Sequence, residues 1–222
     1  MTVPAASRAL AAVRRQGALV ALAAVCAFGV ARYAEFATPE NLLNVLRQNS
    51  MLGLAALGMT FVVLTGGIDL SVGAVLAAAG VVAASLSPHG SLAAALGGVA
   101  TGALLGAVNG LVIARARVQP FVATLAMMTA ARGAVLAATG EQSVPLAPGA
   151  EGLGWLGRGE LLGVPVPVAV LALAYLAGWA VLRATPFGRY VYAAGDSEEA
   201  ARLLGLPVGR VGVVGGPVVA GT

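Results

Sequence analysis

Asp69 is the one formal charge between Gln48 and Arg115, and it lies in the stretch LTGGIDLSVG at 64–73. Long apolar runs flank it at 51–65 and 72–86. An ionisable side chain in such surroundings is costly, so it calls for a partner, for water or for a function. Gly66 and Gly67, directly ahead of it, break a helix. Backbone released by a break inside a membrane must find its hydrogen bonds locally. Gly66, Gly67, Asp69 and Ser71 are therefore the candidate break-and-cap group, with Asp69 or Ser71 capping the helix that follows.

Other chemistry is excluded by what the chain lacks. All 13 basic residues are Arg. A phosphate-binding loop needs GK[ST], so ATP chemistry belongs on another subunit. The lone His89 cannot build a metal site by itself, and the lone Cys26 has no partner for an internal disulfide. No Ser/His/Asp set appears, so the chain reads as no enzyme, with no cofactor and no metal. The net charge of +4 is no nucleic-acid signal, because the arginines sit in short loops between apolar segments.

Composition sets the class. The chain is 59% hydrophobic and 10% charged, against about 25% charged in a soluble domain. This predicts an all-α membrane protein, a polytopic helical bundle. Apolar segments recur at 17–33, 42–65, 72–86, 91–114, 121–138 and 164–182, giving about six transmembrane helices with the helix break at 66–71. With the N-terminus inside, the inner loops hold Arg8, Arg14, Arg15, Arg115, Arg117, Arg183, Arg189, Arg202 and Arg210, and the outer loops hold Arg32, Arg47 and Arg158. That bias satisfies the positive-inside rule. It places Asp69 toward the inner face and makes 140–163 an external loop, with Trp155 at the interface. Arg132 falls inside the fifth span, either snorkelling outward or bonded across a subunit interface.

Gly98, Gly102, Gly106 and Gly110 recur at every fourth position and share one helix face. Such a stripe lets another helix approach closely, so these four are read as packing scaffold. Asn109 borders the stripe and is expected to bond a neighbouring helix. Gln48, Asn49 and Thr124 are further polar groups for the bundle.

The composition changes at 185–211. Asp196 can cap a short helix with Glu199 three residues later, Glu198 and Arg202 can pair at i, i+4, and Gly205 ends it with Pro207 beyond. This amphipathic helix is either an ordinary solvated loop helix or a docking helix for a cytoplasmic partner. The chain thus divides into a cytoplasmic N-terminus (1–16), a transmembrane domain (17–182), a cytoplasmic segment (183–210) and a tail (211–222).

Three blocks together resemble the permease subunits of ribose-type sugar ABC importers: NLLNVLRQNSMLGLAALGMTFVVLTGGIDLSVG at 41–73, VQPFVATLAMMTAARG at 118–133, and TPFGRYVYAAGDSEEAARLLGL at 185–206. The resemblance implies a bacterial inner-membrane translocation subunit for a monosaccharide. It implies a cytoplasmic ATP-binding subunit, an extracytoplasmic sugar-binding protein, a second permease copy and surrounding lipid as partners, and no nucleic acid. It maps the family's ATPase-coupling segment onto Gly188, Arg189, Gly195, Asp196, Glu198, Glu199, Arg202 and Gly205. Under it, Asp69 is either the cap already described or a group in the transport path or gate. A branched-chain amino-acid permease, an ion-coupled secondary transporter and a truncated, non-transporting copy are the rival functions. The family continues past the coupling segment with further spanning helices. The tail GVVGGPVVAGT is too short to span, so an incomplete or split permease is expected.

Overall fold

A computed structural model describes residues 17–196. The N-terminal segment 1–16, the tail 211–222 and Glu198, Glu199, Arg202 and Gly205 lie outside the described residues. The chain divides into two compact units, 1–48 and 49–222.

In the first unit, helix α1 (Gly17–Arg32) is followed by a turn that leads into α2 (Pro39–Leu64). The turn is fixed locally. The Phe36 ring lies over Gly29, where an added Cβ would come within 2.6 Å of it. Asn41 Nδ2 donates to the Phe36 carbonyl at 2.8 Å, and the Asn41 N–H donates to Thr38 Oγ1 at 3.3 Å. Thr38 is thus an N-cap with Pro39 at the first helical position, where the missing N–H costs nothing. This moves the start of the second helix from the expected 42 back to Pro39. The Arg32 guanidinium sits 5.8 Å from the Tyr33 ring centroid at the end of α1.

The second unit holds the rest of α2, then α3 (Val72–Leu86), a 3₁₀ turn (Ser87–His89), α4 (Ser91–Ala116) and α5 (Pro120–Thr139). After these come α6 (Glu151–Arg158), a hairpin of β1 (Glu160–Leu161) and β2 (Val164–Pro165), α7 (Val166–Ala184) and α8 (Pro186–Asp196). Helices α3, α4 and α5 pack on one another, and α7 packs on α8. Buried positions are mostly small, such as Ala78, Ala84, Ala94, Ala123 and Ala131, while Leu92, Leu96, Val99 and Leu104 point outward. Lipid solvates large apolar side chains, and small interior residues let backbones approach, so this distribution is the one a membrane demands.

The six apolar segments are all helices. Four of them are long and apolar enough to cross a membrane: Val72–His89, Ser91–Ala116, Pro120–Thr139 and Val166–Ala184. The all-α polytopic fold rests on these. The other two fall short for physical reasons. Helix α1 has 16 residues, and α2 carries Glu40, Arg47, Gln48 and Asn49 in its first half.

The expected external loop at 140–163 is more structured than its Gly and Pro content suggests. Gly140 ends α5 in the left-handed region at φ 59°, with its N–H on the Leu136 carbonyl. The hairpin turns at Leu162 and Gly163, with φ values of 53° and 79°. Positive φ at both central residues is what a tight two-residue hairpin requires. Ser87 ties this region down. Its hydroxyl donates to the Ala84 carbonyl at 2.6 Å and accepts the Ala147 N–H at 2.8 Å.

Candidate functional site

The segment around Asp69 is built from two stops and a clamp. Helix α2 ends in a full glycine cap: the Gly66 N–H donates to the Val63 carbonyl at 3.0 Å, and the Gly67 N–H donates to the Val62 carbonyl at 3.0 Å. Gly66 takes φ 77°, which a side chain other than glycine or asparagine strains to adopt. Thr65, buried, closes the same turn by donating to the Val62 carbonyl at 2.8 Å.

The next four residues lie outside regular structure, and other helices satisfy them. Asp69 Oδ1 accepts the Ser71 N–H at 2.7 Å and the Ser71 hydroxyl at 2.6 Å. Asn109, buried on α4, donates from Nδ2 to Ser71 Oγ at 3.0 Å. Thr124, fully buried on α5, accepts the Leu70 N–H at 3.3 Å and lies 3.4 Å from the Ile68 carbonyl. The chain Asn109–Ser71–Asp69 fixes the hydroxyl hydrogen, because Ser71 must accept from the amide and donate to the carboxylate. The broken backbone is thereby held from two sides, as a buried polar segment requires.

The cap differs from the sequence expectation. Ser71 occupies the N-cap position of α3, but it makes no side-chain cap bond. The carboxylate instead bonds the N–H two residues on, an Asx-turn just ahead of the helix. Beside it opens a cavity of about 270 Å³, lined by Asp69, Ser71 and Asn109 at its polar end and by Val75, Gly102 and Gly106 among others.

The glycine stripe divides. An added Cβ at Gly98 would lie 3.2 Å from the Ala79 carbonyl oxygen and 3.3 Å from Ala83 Cβ, so α3 and α4 approach closely there. Gly102 and Gly106 meet nothing within 4 Å, and Gly110 is buried. Gly98 is thus a point of close approach between α3 and α4, while Gly102 and Gly106 line the cavity. Gly97, which the periodicity skipped, packs against Leu86.

Helix α8 carries the other candidate residues. Thr185 precedes Pro186, and its Oγ1 accepts the Gly188 N–H at 3.2 Å. This N-cap starts the helix at Pro186. Asp196 lies within α8, where the described residues end; the capping box expected with Glu199 falls outside the described residues. One face of α8 is buried: Val191 and Ala194 pack with Leu64, Leu182, Phe187 and Tyr190. Gly188 lies against the Leu182 carbonyl and Gly195 against the Leu64 carbonyl, with no room for a Cβ toward either. The rings of Phe61 and Phe187 lie 6.4 Å apart. Arg189, Tyr192 and Asp196 are exposed. Their i, i+3, i+7 spacing puts them on one face. Beside α8 opens a groove of about 570 Å³ lined by Leu64, Tyr192, Ala193, Gly195 and Asp196.

Sequence reasoning missed the buried Thr65 and Ser87 and the Thr185–Pro186 start. The last had a signal, because Thr38–Pro39 uses the same pair. Arg132 is exposed on α5. Among the described residues, no group of acidic, histidine or cysteine side chains is placed to hold a metal.

Residues 41–215 match the family model described as branched-chain amino acid transport system / permease component. The chain is 42% identical to the ribose import permease protein RbsC of Escherichia coli (strain K12) over 203 residues, 90% of this chain and 63% of that protein. It is 45% identical to RbsC of Bacillus subtilis (strain 168) over 181 residues, 81% of this chain and 56% of that one. Against the galactofuranose transporter permease protein YtfT of Escherichia coli (strain K12) the identity is 40%, over 74% of this chain and 48% of that protein. No solved structure matches the chain. The chain spans 48–63% of the length of these relatives, and by the match over residues 41–215 it belongs to the permease-component family.

Proposed function

We propose that this chain is the translocating subunit of an ATP-binding cassette importer that carries a monosaccharide across a bacterial inner membrane. The N-terminus faces the cytoplasm, in keeping with the arginine bias of the loops. ATP is hydrolysed on a separate cytoplasmic subunit, a sugar-binding protein delivers substrate from outside, and a second permease copy completes the path in the lipid. The observation that carries this reading is the similarity to ribose import permeases across nine-tenths of the chain. Supporting it, α8 is anchored on its buried face and offers Arg189, Tyr192 and Asp196 outward, the form of a docking helix. Glu198, Glu199 and Arg202 extend that docking segment.

Within this reading Asp69 is an anchor. A neutral sugar is held by hydroxyl and amide groups more than by a carboxylate, and the carboxylate already accepts two hydrogen bonds from Ser71. A family name that speaks of amino acids does not favour that substrate, because the relatives named above and an L-arabinose permease of Azospirillum brasilense are sugar permeases.

The test is co-expression of the chain with the ATP-binding subunit, followed by affinity capture. Capture of the ATPase that is lost when Glu198, Glu199 and Arg202 are all replaced by Ala supports the reading. Unchanged capture by the triple variant counts against docking there.

A further inference from the structure

Resting on the permease reading, we infer that the 66–71 break is the hinge between two helix groups, and that Gly195 is the positioning residue through which α8 moves it. The upstream side of the break belongs to α8. Gly195 lies directly on the Leu64 carbonyl, Val191 and Ala194 pack with Leu64, and Phe187 meets Phe61. Gly188 grips the end of α7 in the same way through the Leu182 carbonyl. Side chains join α2 to α7 as well: Leu57 packs on Gly178, Leu171 packs on Gly53, and Tyr175 Oη donates to the Gly53 carbonyl at 3.2 Å. Helices α2, α7 and α8 therefore form one mechanical group.

The downstream side belongs to the other group. Leu70 is tied to Thr124 on α5 and Ser71 to Asn109 on α4, and α3 packs on both helices. Between the two anchored ends stands Gly66, exposed, at positive φ and with nothing within 4 Å of an added Cβ. A torsion with no packed neighbour, tied only by the Gly66–Val63 and Gly67–Val62 cap bonds and flanked by two clamped segments, is where a domain-scale rotation is absorbed. Gly195 supplies the grip. With no side chain between the backbones, a displacement of α8 is delivered to the last carbonyl of α2 and not taken up by a flexible side chain.

The test uses the assembled transporter with its ATPase. Cys26 is replaced by Ser, and Ile68→Cys serves as a reporter, since Ile68 is 55% exposed. Labelling by a membrane-permeant maleimide is compared in the nucleotide-free and vanadate-trapped states. The parent is expected to change its labelling rate between the states. Gly195→Ala is expected to abolish that change and to lower sugar uptake roughly tenfold, the size of a packing conflict of this kind. If Gly195→Ala does not assemble, Gly66→Asn decides. Asn tolerates positive φ but narrows the torsional range, so the change in labelling should shrink. A state-dependent change that survives intact in either variant overturns the hinge alone. So does loss of the ATPase from Gly195→Ala together with unaltered labelling in Gly66→Asn. A parent that neither retains the ATPase nor takes up sugar overturns the permease reading, and the hinge falls with it.

Discussion

Replacing Ser71 with Ala removes the hub of the polar cluster. Ser71 is 1% exposed, and its hydroxyl donates to Asp69 at 2.6 Å while accepting from Asn109 at 3.0 Å. The first is a bond to an ionised acceptor, worth about 1.5–3 kcal/mol. Losing the second leaves a buried amide N–H unpaired, at about 1–3 kcal/mol. Two facts lower the total. Asp69 keeps the Ser71 N–H at 2.7 Å, and the adjoining cavity of about 270 Å³ is roomy enough to admit water to Asp69 and Asn109. The expected cost is therefore about 2 kcal/mol in unfolding free energy. Asn109→Leu alone should cost about 1 kcal/mol, within the range of interhelical hydrogen bonds in membranes. The double variant should cost less than the sum, because each change removes the partner that the other strands. Equilibrium unfolding of the detergent-solubilised protein in a denaturing surfactant measures all three. A Ser71→Ala variant within about 0.5 kcal/mol of the parent, the range of an ordinary surface substitution, refutes the clamp. So does strict additivity of the pair.

Further outcomes follow from the same contacts. Asp69→Asn keeps an acceptor for the Ser71 N–H and should preserve assembly with a modest loss of transport, whereas Asp69→Leu should reduce the yield of folded protein; normal sugar uptake by the Leu variant would sink the anchor reading. Gly98→Val should cost about 1–3 kcal/mol by overpacking, since a Cβ there already lies 3.2 Å from the Ala79 carbonyl. Gly102→Ala and Gly106→Ala, with open space around both, should raise stability by up to about 1 kcal/mol through helix propensity; the same unfolding assay separates them. Leu162, 98% exposed at φ 53°, holds a left-handed conformation without packing to offset it, so Leu162→Gly should stabilise the protein by about 1 kcal/mol, read as a rise in melting temperature.

Apolar length and glycine punctuation made the bundle legible. LTGGIDLSVG displayed both the stop of α2 and the start of α3, since two glycines followed by an acid and a serine are what a capped break needs. The partners of that break were only half legible. Asn109 and Thr124 stood out as polar residues in apolar runs, but which residue each would meet depends on how α4 and α5 pack, a tertiary fact. The glycine stripe was legible as one helix face, but periodicity does not report which neighbour each glycine meets, and within this chain Gly98 meets α3 while Gly102 and Gly106 face open space. Helix α8 was hidden by its composition, because FGRYVYAAG reads as loop until Thr185 and Pro186 are recognised as its cap and first residue. The hairpin at 160–165 was hidden for a different reason. Its turn uses Leu162 at positive φ, against local preference, and no propensity announces it.

The central claim is tested most directly by sugar uptake into vesicles that contain a transporter assembled on this chain, with its ATP-binding subunit inside and the sugar-binding protein outside. The expected result is uptake of labelled ribose or a similar monosaccharide that needs ATP, needs the binding protein, and is competed by unlabelled sugar but not by leucine. Uptake that persists without the ATPase and collapses with an ionophore would contradict it.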